Sequence, residues 1–315
     1  MISSSSSYWQ RWLPCWKGRL KKTGAKLGLL VGNASIAWAR VETRGDTLAV
    51  KAFGCLQAES PDAVWARFRN VVTLEKLQGL PLHVVMGLAD YQLLLMESPE
   101  VPAEELREAM RWRLGDFISF PVTDAAIDVF TLPEDAYRGR QRMLYTAVCQ
   151  QRQIETLRLR ADSLRLSLAS VTIPEIALSR LEPHLLAGED STALLQFTES
   201  GSLLGIFQDH ALYLARQTPF SLQTLDTAQY DNVLLKIQRS LDYFDSQIGK
   251  GMVKRLLITP FPGVEALARH LAGNLDVAVQ LLDLSPLWPA PGVTGKPDDI
   301  APCLLAIGAV MGGEA

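Results

Sequence analysis

Two short turns carry the residues whose types could do chemistry. The first turn contains Gly32, Asn33 and Ser35, and the second contains Ser200 and Ser202. Backbone amides and hydroxyl groups in such turns can donate hydrogen bonds to an anion such as a phosphate. Turns are also rich in glycine and serine for conformational reasons alone. These five residues are therefore candidates for an anion site. The alternative is that they serve only the conformation of the turns.

No motif for catalysis or metal binding stands out in the rest of the chain. The sequence lacks a nucleophile elbow, a Walker phosphate loop and a Rossmann glycine fingerprint. Its four histidines are scattered, and its cysteines lie far apart without a CxxC pair, at Cys15, Cys55, Cys149 and Cys303. This cysteine pattern predicts a reducing compartment and excludes a zinc ribbon. We therefore expect neither a catalytic residue nor a bound metal.

Composition and charge indicate a folded, acidic body with a basic arm. The 315 residues predict about two domains, and 48% hydrophobic with 21% charged residues is typical of a packed protein. Residues 1–26 carry six basic and no acidic side chains, which leaves 25 basic against 34 acidic residues, or −9, for the remainder. Such an acidic body argues against nucleic acid as the partner.

The arm, residues 1–25, mixes tryptophans with bases near helical spacing. Its residues with an affinity for membrane surfaces are Trp9, Arg11, Trp12, Trp16, Lys17 and Arg19. One interpretation is a peripheral membrane contact, and the other is a tail whose tryptophans pack on the body. The chain has no apolar window of transmembrane length and no signal peptide. We expect a cytoplasmic body.

Each candidate turn opens a set of three sequential strands. Residues 26–41 read as strand, turn and strand, and residues 47–52 add a third strand. Ser60 and Pro61 then begin a helix. After a linker near 183–190 the pattern restarts, with strands predicted at 192–197, 202–207 and 211–216.

Helices and further strands follow both openings. In the first half we predict strands at 82–87, 91–96, 126–131, 142–148 and 167–172, and helices at 103–118, 150–163 and 174–185. In the second half we predict helices at 227–248 and 264–272 and strands at 255–259 and 278–282. Two halves that open alike indicate an internal duplication.

This organisation is that of the actin, hexokinase and Hsp70 class, an α/β fold of two lobes with a nucleotide between them. We expect an arm at 1–25, a first lobe at 26–188 and a second lobe at 189–315.

A specific resemblance lies in the second half. Residues 236–247, KIQRSLDYFDSQ, resemble a helix of the type IV pilus assembly protein PilM, which in that family runs approximately E-I-x-R-S-L-x-Y-Y-E-S-Q. In order along the chain, residues 27–42, 96–130, 142–181 and 303–313 also resemble PilM segments. The resemblance covers nearly the whole chain past residue 26.

The resemblance implies an inserted subdomain of the 1C type at about 82–148 and a nucleotide cleft. It also implies that the C-terminal helix returns to the first lobe. It places Lys236 and Arg239 on the helix that faces adenosine, and Gly263 in the adenosine loop. Between 220 and 233 the chain is far shorter than PilM, so the resemblance implies a reduced 2B subdomain.

Departures from the family fall on the nucleotide contacts. The family's first turn reads approximately D-I-G-S-S-S, but this chain has Leu30 in place of the aspartate. The second turn normally reads D-I-G-A, and here Gln196 replaces the acid while Glu199 adds negative charge. Pro260 and Pro262 occupy a loop that normally carries a Gly-Gly pair, and neither donates an amide. We therefore expect weak or absent ATP binding, no cofactor and no hydrolysis.

By resemblance, the chain is expected to be a non-enzymatic scaffold of a type IV pilus platform at the inner membrane. Its expected partners are the cytoplasmic tail of a PilN-like membrane protein and other platform proteins. The departures and the short second half most resemble the MshI branch of the family, from mannose-sensitive haemagglutinin (MSHA) pilus biogenesis, whose partner is of the MshJ type. The alternatives are an ATP-binding switch or ATPase of the PilM type, or a GspL-like component of type II secretion.

Overall fold

The computed structural model describes residues 24–44, 47–137, 142–186, 190–248, 251–287 and 296–311. The arm of residues 1–23, which carries the predicted membrane-surface side chains Trp9, Arg11, Trp12, Trp16, Lys17 and Arg19, lies outside these residues. The described strands form three sheets, two with five strands and one with three.

The first sheet contains the first candidate turn. Its strand order is β3-β2-β1-β4-β8, in which β1 pairs antiparallel with β2 and parallel with β4. The strands are β1 (Ala25–Val31), β2 (Ser35–Arg44), β3 (Thr47–Gln57), β4 (Pro81–Met86) and β8 (Ser167–Thr172). β3 runs five residues beyond its predicted end at residue 52.

The second sheet repeats this arrangement. Its order is β11-β10-β9-β12-β13, with an antiparallel trio followed by two parallel strands. The strands are β9 (Thr192–Phe197), β10 (Ser202–Gln208), β11 (Ala211–Thr218), β12 (Arg255–Ile258) and β13 (Ala278–Leu281). The two halves therefore share one topology, which agrees with the duplication inferred from the sequence.

A third, antiparallel sheet is formed by the chain that connects β4 to β8. Its order is β5-β7-β6, from β5 (Gln92–Glu97), β6 (Ala125–Thr131) and β7 (Met143–Gln150). The helix predicted at 103–118 is shorter in the structure, α2 (Leu106–Arg113). Leu114 is fully buried among Ala125, Ile127 and Val148, so the chain turns inward there and ends the helix.

The remaining helices cover the sheets. Their bounds are α1 (Pro61–Leu74), α3 (Gln151–Ser163), α4 (Pro174–Leu185), α5 (Tyr230–Tyr243), α6 (Val264–Ala272) and α7 (Leu304–Val310). α1 begins as the sequence predicts, because the Ser60 hydroxyl accepts a hydrogen bond from the Ala63 amide at 3.2 Å. One π-helical turn, Phe244–Ile248, extends α5, and its first and last side chains are buried.

Helix α7 is wedged between β1 and α4. All seven of its residues are buried. A Cβ atom on Gly28 of β1 would lie 1.8 Å from the carbonyl oxygen of Ala306, and one on Gly308 would lie 2.2 Å from that of Ala177 in α4. Glycine at these two positions lets backbone pack against backbone, which places the C-terminal helix directly behind the strand that leads to the first turn.

The three-stranded sheet also contacts the second lobe through hydroxyl groups. Tyr145 on β7 donates to the Ala215 carbonyl at 3.2 Å and accepts from the Ala215 amide at 3.0 Å, and Ala215 lies on β11. The Tyr91 hydroxyl donates to the buried Glu175 carboxylate at 2.6 Å, and Gln217 of β11 donates to both. These bonds hold the two lobes against each other.

Candidate functional site

The two candidate turns face each other across a cavity of about 170 Å³, which we call the interlobe cavity. Its walls come from the ends of β1 and β9, the starts of β2 and the second turn, and the end of β3. The lining residues are Leu30, Gly32, Ser35, Ile36, Ala37, Cys55, Leu56, Gln57, Gly87, Leu88, Gln196, Phe197, Thr198, Glu199, Ser200, Leu222 and Pro302. The structure thus brings together Gly32, Ser35 and Ser200.

Three backbone amides of the two turns already have partners within the turns. The Gly32 amide donates to the Ser35 carbonyl at 2.9 Å. In the second turn the Thr198 amide and hydroxyl both donate to the Gly201 carbonyl, at 2.8 and 2.9 Å, and the Ser200 amide donates to the Thr198 hydroxyl at 3.3 Å. These amides are therefore not presented to an incoming anion.

Ser202 does not join the interlobe cavity. It is buried at the first position of β10, and its hydroxyl forms a 2.6 Å hydrogen bond with that of Thr218. Asn33 lines a different pocket, described below. Lys236 and Arg239 are exposed on α5, and Gly263 caps the start of α6 in a left-handed conformation with φ of 87°. None of these three contributes to the lining of the interlobe cavity.

The charge of the interlobe cavity does not suit a nucleotide. Its described lining contains no lysine or arginine, and its one carboxylate is that of Glu199. Gln57 at the end of β3 donates a hydrogen bond to that carboxylate, so this contact also spans the two lobes. Among the described residues, no group of three or more histidine, cysteine or acidic side chains could hold a metal. The residues present do not fit a magnesium-bound triphosphate.

Gln196 supplies one unused acceptor to this cavity. Its Nε2 donates to the Phe197 carbonyl at 2.9 Å, while its Oε1 is buried and has no hydrogen-bond partner among the described residues. Phe197 packs edge-to-face on Phe261, with ring centroids 5.2 Å apart. The aromatic pair fills the space between the second turn and the loop of Pro260 and Pro262.

A second cavity lies on the other side of the first turn, where the first sheet meets the three-stranded sheet. This junction pocket has a volume of about 260 Å³ and is lined by Val31, Gly32, Asn33, Pro61, Trp65, Met86, Asp90, Arg152, Gln153, Thr156, Leu157 and Arg160. Its walls are the first turn, the start of α1, the chain leaving β4 and one face of α3. It carries charges of both signs on an apolar floor.

The charged side chains of the junction pocket differ in their surroundings. Arg160 pairs with Asp62 at 2.7 Å and lies 5.3 Å over the ring of Trp65. Partial burial raises the pKa of Asp90. Arg152 and Thr156 are exposed on α3. The resemblance to PilM implies a partner groove between the first lobe and its insertion at about 82–148, but it assigns no individual contact there. Sequence reasoning therefore missed the lining residues, although the spacing of residues 152, 156 and 160 puts them on one face of the predicted helix.

None of the described helices has the length and hydropathy needed to cross a membrane. The sequence matches no protein-family model and no curated protein sequence.

Solved structures, in contrast, resemble this fold closely. A chain of the structure described as "PilM-PilN type IV pilus biogenesis complex" superposes with a TM-score of 0.73 at 18% identity, covering 92% of this chain and 99% of that one. The cytoplasmic domain of EpsL, an inner membrane component of the type II secretion system of Vibrio cholerae, gives a TM-score of 0.52 at 14% identity over 91% and 94%.

A Bacteroides thetaiotaomicron protein with an actin-like ATPase fold and unknown function gives a TM-score of 0.54 at 8% identity over 85% and 94%. The chain therefore has the two-lobed, actin-like α/β fold, in a form similar to that of the PilM–PilN structure. The predicted fold class is confirmed.

Proposed function

We propose that this protein is a non-enzymatic scaffold of a type IV pilus assembly platform, and that it binds the cytoplasmic tail of a PilN-like membrane protein. The observation that carries the proposal is the likeness to a chain of the PilM–PilN structure over 92% of this chain and 99% of that one. A cytoplasmic position beside the inner membrane, with other platform proteins as neighbours, follows from the same likeness and is part of the proposal.

The junction pocket is the place we propose for the tail. It combines an apolar floor with Asp90 and Arg152, so that an extended peptide could insert apolar side chains and pair its charges at the rim. It lies where the chain enters and leaves the three-stranded sheet. The interlobe cavity is smaller and lacks cations among its described lining residues, which supports a degenerate nucleotide cleft and the absence of ATPase activity.

The finer assignment is to the MSHA type, with an MshI-like role and an MshJ-like partner. It rests on the lost acids at Leu30 and Gln196 and on the short connection between β11 and α5, which leaves eleven residues between Thr218 and Tyr230. The likeness to the EpsL domain keeps a type II secretion role of the GspL kind as the alternative. The two are separated by which partner's tail the protein retains.

The test is binding of a synthetic tail peptide of the PilN/MshJ-like protein, measured by calorimetry with a matched pair of variants. Thr156 in the pocket and Thr73 on α1 are both exposed helical threonines whose hydroxyls donate to the carbonyl four residues earlier. T156W fills the pocket and should weaken binding at least about tenfold, or ~1.4 kcal/mol, whereas T73W should not change it. Equal affinities for the two variants would exclude this docking site, and no binding to wild type would exclude the partner.

Calorimetry with Mg-ATP separates the scaffold from an ATP-dependent switch. We expect no heat of binding at micromolar nucleotide, because the described cavity lining offers no cation to the phosphates. Micromolar affinity would favour the switch.

The proposed membrane contact of the arm is tested by co-sedimentation with anionic liposomes. Binding to the liposomes should weaken when residues 1–24 are deleted, and unchanged co-sedimentation would exclude a membrane contact there.

A further inference from the structure

Two cysteines meet at the floor of the interlobe cavity. Cys55 lies on β3 and Cys303 is the residue before α7, and their sulfur atoms are 3.7 Å apart. The Cys303 sulfur also lies 3.4 Å from the Gly54 carbonyl oxygen, so that its single S–H can be directed to this oxygen or to Cys55. The separation in sequence is large, so only the packing of the C-terminal segment on β3 brings these thiols together.

The two thiols differ in access and in acidity. Cys55 is exposed and lines the interlobe cavity, while Cys303 is fully buried. The hydrogen bond from Cys303 lowers the pKa of Cys55, and the same pairing together with burial raises the pKa of Cys303. A thiolate therefore forms more readily on the accessible sulfur, which is the arrangement of an attacking cysteine beside a resolving one.

Cys149 provides an internal comparison. It is buried, and burial raises its pKa to about 12. No other described cysteine lies near it in the way that Cys303 lies beside Cys55. Burial alone thus accounts for an inert thiol at Cys149, whereas the 55–303 pair has both an entrance and a partner.

We propose that Cys55 is a site of thiol–disulfide exchange with low-molecular-weight disulfides, and that Cys303 resolves the adduct into an internal 55–303 disulfide. The Cys55 thiolate attacks one sulfur of the disulfide RSSR, forming a mixed disulfide on Cys55 and releasing RS⁻, which takes up a proton. The Cys303 sulfur then attacks the Cys55 sulfur and expels the second RS⁻, which takes up the proton that the Cys303 thiol gives up. Two protein thiols are oxidised to one disulfide and RSSR is reduced to two RSH.

The internal bond requires a small movement. The sulfur–sulfur distance must shorten from 3.7 Å to about 2.0 Å. β3 is the outer strand of its sheet and Cys303 ends the 3₁₀ segment Pro297–Cys303, so neither sulfur lies inside an α-helix. The bond would tie the outer strand of the first sheet to the segment that precedes α7, and so clamp the helix that packs between β1 and α4. This inference does not depend on the proposed function.

The experiment exposes the full-length protein to oxidised glutathione, followed by alkylation, trypsin digestion and mass spectrometry. In wild type we expect peptides 52–67 and 270–315 linked by one disulfide, and an apparent melting temperature that rises by several degrees and returns on reduction. C303S should instead keep glutathione on Cys55, and C55S should leave Cys303 unmodified. C15S and C149S are the matched controls and should behave as wild type.

Three results would overturn the proposal. They are a stable glutathione adduct on Cys55 of wild type without the internal link, a link that joins other cysteines, or a native-state reaction of Cys55 less than about tenfold faster than that of Cys149. The linked peptides are measured on wild type, so the proposal is tested even where a variant at buried Cys303 does not fold.

Discussion

Gly32 separates two cavities of different chemical character. On one side, the interlobe cavity is mainly apolar, the amides of Gly32, Thr198 and Ser200 are bonded within its turns, and the one carboxylate of its described lining accepts a hydrogen bond from Gln57. On the other side, the junction pocket is larger and is lined by the exposed Arg152 and the partly buried Asp90. The same turn thus contributes to a mainly apolar cavity and to one that carries charges of both signs.

The difference indicates which of the two cavities suits a charged ligand. The interlobe cavity is lined by the neutral amide of Gln196, and an incoming phosphate would find no cation in the described lining. In the junction pocket, groups of both signs lie near apolar surface, as peptide recognition requires. We infer that the tail peptide binds in the junction pocket and that the packing between the two lobes keeps this pocket in shape.

The largest expected effect is one that destroys both cavities together. G28A places a methyl group 1.8 Å from the Ala306 carbonyl oxygen, where backbone cannot move without displacing α7. Because β1 carries the shared turn, we expect a loss of at least about 3 kcal/mol of unfolding free energy, measured by urea denaturation. G115A is the control, since a Cβ there meets no atom within 4 Å. Equal stability of the two variants would contradict the packing of α7 behind the turn.

A smaller, pH-dependent effect is expected in the three-stranded sheet. Burial raises the pKa of Asp128 on β6 to about 7, above about 3.9 in an unfolded chain. The folded state therefore binds the extra proton between these values, and the stability that this group contributes is lost as pH rises from about 4 to about 7.

D128N removes that titration. From pH 5 to pH 8 the wild type should lose about 2 to 3 kcal/mol relative to D128N, measured by urea denaturation at each pH. Glu175, Asp90 and Glu182 also have raised pKa values. Because these groups titrate in both proteins, their contributions cancel in the difference between wild type and D128N. Parallel pH profiles would show that Asp128 stays ionised in the folded protein. The amide of Gln196 gives the interlobe cavity no such dependence.

The smallest expected effect comes from occupying the interlobe cavity. Ser200 is exposed at its edge, and S200L should change the unfolding free energy by less than about 0.5 kcal/mol. The affinity for the tail peptide should stay at the wild-type value, in contrast to T156W. A loss of binding in S200L comparable to that in T156W would mean that the two cavities are coupled, and the contrast between them would fail.

Local signals in the sequence were sufficient to predict most of the frame. β8, α4, β9 and α6 have the predicted bounds, because prolines and glycines such as Pro174, Gly201, Gly263 and Gly273 mark their ends locally in the sequence. The helix at 103–118 was too long, since its end depends on the burial of Leu114 against strands that follow it in the chain. That contact has no local signature.

The candidate site was harder to predict for the same reason. The interlobe cavity forms between turns that the sequence analysis identified. The position of Ser202, which lies opposite Thr218 and outside the cavity, depends on the register of β10 against β11. The junction pocket draws Asn33, Trp65, Asp90 and Arg152 from four separate segments. Their proximity follows from the way the three-stranded sheet leaves and rejoins the first sheet, which no single stretch of sequence specifies.

The phenol of Tyr145 also protects a vulnerable boundary of the molecule. β11 is the outermost strand of the second sheet, and at Ala215 both its amide and its carbonyl are engaged by this one hydroxyl group. An open strand of this kind invites another chain to add alongside it. Here a strand from another molecule could pair with β11 at Ala215 only by displacing Tyr145 and its three-stranded sheet. Contacts within the chain therefore oppose the growth of fibres along this edge.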